Sequence, residues 1–442
     1  MAIERAKDPT QADKIDRIFR EWKARPELEG ALVGFCVLGE AGEIVYGSPL
    51  AETALCPAST LKTVTTGAAF GLLGPEFRFE TVLAGSSPLG ADGNLDGDLV
   101  LVGGGDPTFS QEDLVALADA AVAAGLKQVS GKLLVDTSIF PEDPMNEFWN
   151  WGDVGNGYGA GAFGLNIDHN QVEITFHPGT EPGAPAMLVD GEPVPRDVKW
   201  VNRVVTGPAG SGDEVTVYSE PFGRIITLRG TVPAGEKTFG VHGANPDPPS
   251  FAAELLRDRL ENKGVKFGGQ PGPFSSEKRT KLASHLSDSL PEIIDHLHRV
   301  SDNLEAQCFF LTMGKQQDSD PADVVRDYWG KAGIEFIGLR LLDGSGLARA
   351  TMIRPLDLAR VNRAARGGPH GERFYQSLST YQNGTIRSKL GAMSGVKTEV
   401  GFLRIAEDRE VTFALMANGL DTSVKFWPIG RELLETVRNM GW

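Results

Sequence analysis

The amino-acid sequence predicts a mixed α/β (α+β) fold, in which an antiparallel sheet is flanked by helices and interrupted by inserted β-rich accessory domains. The middle of the chain, residues 77–282, is rich in glycine, proline and short alternating strands, a composition typical of β-rich domains. The two ends of the chain supply the other elements, which pack as one layered domain. In chain order these are a helix over 13–23, strands over 31–38 and 43–47, a helix over 59–73, strands over 396–405 and 411–418, and a helix over 429–440.

The length and the net charge of the chain predict the number of domains and exclude some classes of partner. The chain has 442 residues, of which 41% are hydrophobic, and its formal net charge is −16 at pH 7. This length predicts about three domains with a substantial core. An acidic protein is not attracted to nucleic-acid phosphates or to anionic lipid headgroups, so we expect neither as a partner. No apolar run reaches the roughly 18 to 20 residues that a transmembrane segment needs.

Ser59 and Lys62 form an S-x-x-K pair at the start of the helix predicted over 59–73. Positions i and i+3 share one face of a helix, so the lysine amine can approach the serine hydroxyl. Burial lowers the pKa of a lysine from about 10.4 toward neutrality, and a neutral amine can take the serine proton. We therefore predict Ser59 as a nucleophile and Lys62 as its general base. Taken alone, the pair is equally typical of a helix N-terminal serine beside a solvated lysine.

Ser301, Asp302 and Asn303 form an S-D-N motif between two further predicted helices, 291–300 and 304–315. A link between packed helices can present side chains to a cleft, where Ser301 would relay a proton and Asn303 would hold a substrate amide. The alternative is a helix cap made by Asp302 or Asn303.

Two lysines, Lys389 and Lys397, compete for a third motif, which needs an edge strand, a tight turn and a returning strand. A serine–glycine turn and the strand over 396–405 follow Lys389, whereas no turn signal follows Lys397. We therefore favour Lys389. Gly391, two residues later, leaves a position without a side chain where a substrate backbone can approach closely.

With these motifs the chain resembles, over nearly all of its length, the low-molecular-mass penicillin-binding proteins of the D-alanyl-D-alanine carboxypeptidase/endopeptidase kind (class C). Penicillin-binding proteins and class A β-lactamases carry S-x-x-K, S-D-N and K-T-G in this chain order. Other matching stretches are GDLV at 97–100, GGGDP at 103–107, DTSIF at 136–140, DGSGL at 343–347 and NGTI at 383–386. The resemblance implies a penicillin-binding/β-lactamase-like transpeptidase domain made of residues 1–76 and 283–442. Residues 77–282 would then hold two nested β-rich subdomains.

The resemblance also implies a serine peptidase that acts on peptidoglycan peptides and is acylated by β-lactam antibiotics. Ser301 and Lys389 would relay a proton to the leaving amine, and the backbone N–H groups of Ser59 and Ala392 would form the oxyanion hole. In the family a hydroxyl of the third motif holds the terminal carboxylate of the substrate, but this chain has Leu390 and Ala392 where the family has hydroxyl residues. A second hypothesis therefore stays open, a peptidoglycan-binding homologue with impaired catalysis.

Asp153 and Tyr158 lie in a stretch, 149–158, that resembles the family segment contacting the diamino acid side chain of the substrate. There an acidic residue pairs with the ammonium group, and an aromatic residue packs on the stem. The alternative is an exposed aromatic loop with a capping aspartate.

The sequence lacks both a metal-binding motif and a secretory signal. The seven histidines form no H-E-x-x-H motif, so we expect no metal ion and no cofactor. The resemblance implies a periplasmic or extracytoplasmic protein. Residues 1–26 are charged and lack the apolar segment of a secretory signal, so we expect that a signal has been removed. Whether the activity is that of a carboxypeptidase or of an endopeptidase, and the oligomeric state, stay open.

Overall fold

The computed structural model describes residues 10–269, 272–273 and 279–442. Its α-helices are α1 (Gln11–Lys23), α2 (Lys62–Leu72), α3 (Gln111–Ala123), α4 (Trp151–Val154), α5 (Pro248–Asn262), α6 (Leu290–Val300), α7 (Asn303–Gln317), α8 (Pro321–Lys331), α9 (Pro355–Gly367), α10 (Gly371–Ser377) and α11 (Phe426–Arg438). Its strands are β1 (Leu32–Leu38), β2 (Ile44–Gly47), β3 (Glu80–Gly85), β4 (Asn94–Leu95), β5 (Leu99–Val102), β6 (Gln128–Val129), β7 (Leu133–Asp136), β8 (Gln171–His177), β9 (Met187–Glu192), β10 (Lys199–Gly207), β11 (Thr216–Tyr218), β12 (Ile225–Pro233), β13 (Phe239–Ala244), β14 (Lys266–Phe267), β15 (Gly272–Pro273), β16 (Thr280–Leu286), β17 (Ser379–Tyr381), β18 (Ile386–Met393), β19 (Val396–Arg404) and β20 (Glu410–Asn418).

The described chain divides into two compact units. The first contains residues 10–75, 290–302 and 316–442, and the second contains the described parts of 76–289 together with 303–315. Most of α7 therefore groups with the second unit, although the sequence-based domain boundaries assign it to the first. The reason is packing, because the Phe309 ring of α7 lies 5.6 Å from the ring of Phe79 in the second unit.

The first unit is built on an antiparallel six-stranded sheet in the order β17-β18-β19-β20-β1-β2. Strand β1 pairs with β20, with Val33 opposite Ala417, so residues near the two ends of the chain share one sheet. Strands β18 and β19 form a hairpin whose turn contains Ser394 and Gly395. Gly395 has φ +73°, a left-handed conformation that glycine adopts at little cost.

Helices α1 and α11 cover one face of this sheet. Helix α1 begins with a capping box, in which Thr10 Oγ1 accepts a hydrogen bond from the Asp13 N–H. Its apolar residues recur three and four positions apart and lie in the core, where the Phe19 ring is 5.9 Å from that of Phe35 in β1. The Trp22 ring meets Phe426 of α11 edge-on at 6.3 Å.

The opposite face is covered by α9, against which α2 packs. Gly34 of β1 permits this contact, since a Cβ atom there would lie 2.6 Å from Pro355 Cγ, at the start of α9. From α8, the Trp329 indole N–H donates to the Val64 carbonyl of α2 at 3.1 Å. Gly67 makes room for this indole, because a Cβ atom there would lie 2.8 Å from the ring. Helix α2 is thus held by neighbours on more than one side.

The second unit contains a five-stranded sheet, β15-β7-β5-β3-β16, and the three-stranded sheets β14-β6-β4, β13-β8-β9 and β10-β12-β11. One core packs Leu117 of α3 and Leu256 of α5 with Leu101 of the five-stranded sheet. A separate core joins Ile174 of β8 to Leu228 of β12. Among the described residues, no helix combines the length and the apolar character needed to cross a membrane.

Candidate active site

The two residues of the S-x-x-K motif lie at the start of α2: Ser59 precedes the helix, and Lys62 is its first residue. Ser59 lies in a 3-10 turn, Ala58–Leu61, and the α-helix starts only at Lys62, three residues later than the sequence predicts. The turn is tighter because Thr60 donates both its N–H, at 3.4 Å, and its hydroxyl, at 2.7 Å, to the Pro57 carbonyl. The predicted approach still occurs, since Lys62 Nζ lies 3.0 Å from Ser59 Oγ.

The Lys62 side chain is fully buried, and its amine has a second acceptor, the Ser345 carbonyl, at 3.0 Å. Asp343 shapes the loop that presents this carbonyl. Its buried carboxylate accepts hydrogen bonds from the N–H groups of Gly346 and Ala348 at 2.9 and 3.0 Å, and from the Ser345 hydroxyl at 2.9 Å. No role for this loop was predicted from the amino-acid sequence. Its signal was the Asp-Gly-Ser-Gly turn at 343–346.

Ser301 and Lys389 meet at the end of α6, with 2.8 Å between Ser301 Oγ and Lys389 Nζ. Ser301 has φ +65°, a left-handed conformation that residues other than glycine adopt only where the surroundings impose it. Lys389 also donates to the Leu390 carbonyl at 3.1 Å. Burial lowers the pKa of the Lys389 amine to about 8. The amine can therefore gain and lose a proton close to neutral pH.

The register of the β18–β19 hairpin separates the two competing lysines. Lys389 pairs with Val400, and Thr398 lies on the same face, where its hydroxyl donates to the Pro57 carbonyl at 2.5 Å. Lys397 lies on the other face, because side chains alternate along a strand. There it pairs with Ala417, which belongs to the core beneath α1 and α11. The lysine that contacts Ser301 is Lys389.

Gly391 brings β18 against the backbone of Ser59. A Cβ atom there would lie 2.3 Å from Thr398 Oγ1, 2.8 Å from the Pro57 carbonyl oxygen and 2.9 Å from Ser59 N. Only a residue without a side chain allows this approach. The next residue, Ala392, is exposed, and Leu390 is half-buried.

Three other predicted site residues, Asn303, Asp153 and Tyr158, lie in the second unit. The Asn303 side-chain amide donates to the Tyr158 carbonyl at 2.7 Å, and the Tyr158 hydroxyl donates to Asp153 Oδ1 at 2.9 Å. Tyr158 is 52% exposed. The structure thus brings these three residues together, although 150 positions of sequence separate Asp153 from Asn303.

The motifs S-x-x-K, S-D-N and K-x-G in this chain order are typical of the class of low-molecular-mass penicillin-binding carboxypeptidases. The sequence matches the D-Ala-D-Ala carboxypeptidase 3 (S13) family over residues 14–426, and the chain belongs to that family. Its members are carboxypeptidases and thus hydrolases. The family resemblance and the fold class predicted from the sequence are therefore confirmed.

Two curated relatives and one solved structure are similar to this chain over most of its length. The chain is 30% identical over 444 residues to the D-alanyl-D-alanine carboxypeptidase of Actinomadura sp. (strain R39), covering 92% of this chain and 80% of that one. It is 26% identical over 420 residues to D-alanyl-D-alanine carboxypeptidase DacB of Haemophilus influenzae, covering 89% and 87%. The crystal structure of penicillin binding protein 4 (dacB) from Haemophilus influenzae has the same fold, with a TM-score of 0.82 at 23% identity over 96% of this chain and 98% of that one.

Proposed function

We propose that this protein is a serine-type D-Ala-D-Ala carboxypeptidase/endopeptidase that cleaves peptidoglycan stem peptides through an acyl-enzyme. The observation that carries the proposal is the buried Lys62 amine, held 3.0 Å from both Ser59 Oγ and the Ser345 carbonyl oxygen. A hydroxyl with an amine at this distance is an activated nucleophile, because the neutral amine can take its proton as the hydroxyl attacks.

In the acylation step, Ser59 Oγ attacks the carbonyl carbon of a D-Ala-D-Xaa bond, and Lys62 accepts the hydroxyl proton. The negative charge that develops on the carbonyl oxygen is stabilised by the backbone N–H groups of Ser59 and Ala392. Ser301 and Lys389 pass a proton to the leaving nitrogen as the C–N bond breaks. Lys62 then returns its proton to the Ser301–Lys389 pair. Water attacks the acyl carbon and gives a proton to the Lys62 amine, and Ser59 Oγ takes that proton as its bond to the acyl carbon breaks.

We propose that three residues of the second unit contribute to substrate recognition. Asn303 orients the peptide, Asp153 pairs with the ammonium group of the diamino acid, and Tyr158 packs on its stem. Gly391 leaves space for the peptide backbone beside β18. Such a substrate implies a periplasmic or extracytoplasmic protein. β-Lactams, whose strained amide mimics the D-Ala-D-Ala carbonyl, are expected to acylate the same serine.

Intact-mass measurement after incubation with benzylpenicillin tests the proposal. We expect one covalent adduct in the wild type and none in Ser59→Ala. The matched control is Ser394→Ala, which removes an exposed hydroxyl from the β18–β19 turn and should keep the adduct. A wild type that stays unmodified, or an adduct that persists in Ser59→Ala, would contradict the proposal.

The altered third motif supports a second candidate, a peptidoglycan-binding homologue with impaired catalysis. Neither Leu390 nor Ala392 offers a hydroxyl for a terminal carboxylate. A hydrogen bond to a charged group contributes about 1.5–3 kcal/mol, so its loss alone lowers activity by about tenfold to a hundredfold. Slow or absent acylation together with retained muropeptide binding would favour this candidate.

A further inference from the structure

His298 is a buried residue to which the proposed chemistry gives no task. It lies on α6 three residues before Ser301, and only 2% of its surface is exposed. Its ring contacts two hydroxyls, with Nε2 3.0 Å from Thr66 Oγ1 and Nδ1 2.8 Å from Ser377 Oγ. Thr66 lies on α2 and Ser377 ends α10, so one imidazole links three helices of the first unit.

The hydrogen bonds around this ring are interdependent. The Thr66 hydroxyl also lies 2.8 Å from the Lys62 carbonyl, and the Ser377 hydroxyl lies 2.7 Å from the Phe374 carbonyl. A neutral imidazole has one N–H donor and one acceptor nitrogen. It can therefore donate to only one hydroxyl, and the other hydroxyl must turn its proton from its carbonyl toward the ring.

A charged ring would donate to both hydroxyls, but its surroundings oppose the charge. Burial, and next the charges of Lys389 and Lys62, hold the pKa of His298 well below its usual 6.5. These two lysines are the charged groups that act on the ring from β18 and from α2. A neutral imidazole makes its hydrogen bonds there without placing a further positive charge beside the two lysine amines.

We propose that His298 is a positioning residue for the acyl-transfer site. It holds α6 against α2 and α10, so that the Ser301 side chain keeps its position relative to the amines of Lys62 and Lys389. The proposal rests on the proposed function, since it assigns a role at the same site. Two observations explain why such a tether is needed. Ser301 has a left-handed backbone that its flanking residues must impose, and the Thr66 hydroxyl that contacts the ring lies 2.8 Å from the Lys62 carbonyl oxygen.

The test compares His298→Leu with His298→Gln by stopped-flow acylation with benzylpenicillin, normalised to folded protein. Leucine fills the space but makes no hydrogen bond. We expect the acylation rate constant to fall about tenfold, while the affinity for the antibiotic before acylation stays unchanged. Glutamine offers both a donor and an acceptor and should recover most of the rate. A purely structural role would lower thermal stability without changing the rate for each folded molecule. The control is His177→Leu at an exposed histidine of β8.

Failure of this inference can be told from failure of the proposed function. A wild type that is not acylated overturns both, whereas normal acylation of the wild type and of folded His298→Leu overturns only this inference. If His298→Leu does not fold, Ser377→Ala replaces it, because this change removes one of the two hydroxyl partners and should lower the rate in the same way. Independently, ¹⁵N NMR of labelled histidine should show one protonated ring nitrogen in His298 from pH 6.5 to 8. A ring that titrates near its usual pKa would contradict the proposal.

Discussion

Lys389 Nζ lies 2.8 Å from Ser301 Oγ, although 88 residues separate these two side chains in sequence. Lys389 is carried by the first strand of a hairpin, and Ser301 is the residue that follows helix α6. The contact places a second desolvated amine in the same unit as the Ser59–Lys62 pair. In the proposed mechanism, Lys62 takes a proton while Lys389 supplies one.

The buried Lys389 amine should make stability depend on pH. Its pKa is about 8 in the folded protein against 10.5 for the ordinary group, so between these values the unfolded chain binds more protons. The free energy of unfolding must then rise with pH across this window, by up to about 3 kcal/mol. Lys389→Met should remove this rise and should be the more stable form at pH 7. Urea unfolding from pH 7 to 10.5 measures the free energy of unfolding of both forms, with Lys397→Met as the control. If the free energy of unfolding changes with pH in parallel for wild type and Lys389→Met, the prediction is wrong.

Gly391→Ala should damage the site without unfolding the protein. The new methyl group would lie within 3 Å of Thr398 Oγ1, the Pro57 carbonyl oxygen and Ser59 N, so β18 must move away from the nucleophile. Displacements of about 1 Å cost roughly a hundredfold in rate, and we expect a loss of that order in benzylpenicillin acylation. The control is Gly330→Ala in α8, where a Cβ atom meets nothing within 4 Å and should stabilise the helix by about 0.5–1 kcal/mol. Equal acylation by both variants would disprove the close approach.

Leu390→Thr should restore a hydroxyl that can bind the terminal carboxylate of the substrate. We expect kcat/KM for a peptide ending in free D-Ala-D-Ala to rise about tenfold or more, since a hydrogen bond to a carboxylate contributes about 1.5–3 kcal/mol. The same peptide with an amidated C-terminus is the control and should show no gain. An equal gain for both peptides would mean that the substitution acts on the strand rather than on the carboxylate.

Asp153→Ala should weaken binding of a charged diamino acid. The Asp153 carboxylate is oriented by the Tyr158 hydroxyl at 2.9 Å and by the Asn150 amide at 3.0 Å. Removing it should raise KM about tenfold for a peptide that contains diaminopimelate, because one charge-assisted hydrogen bond is lost. A peptide with an uncharged residue at that position should be unaffected. The assignment fails if KM rises equally for the two peptides.

Local features of the site could be predicted because they depend on near neighbours in sequence. A serine and a lysine three positions apart must lie on one side of a helical turn, whether the turn is of the 3-10 or the α kind. The serine–glycine pair at 394–395 predicts the hairpin, and the register of the hairpin determines on which face of the sheet each lysine lies. The start of α2 was predicted too early, because the bonds from Thr60 to the Pro57 carbonyl close a tighter turn first.

The amino-acid sequence by itself determined the fold class, the family, and the local pairing of Ser59 with Lys62, since each depends on short-range spacing or on the order of motifs along the chain. Tertiary structure alone decided which carbonyl oxygen meets the Lys62 amine, how close the Lys389 amine comes to Ser301, and that His298 joins three helices. These contacts depend on strand register and on burial. Both arise only when segments far apart in the chain pack together and exclude water.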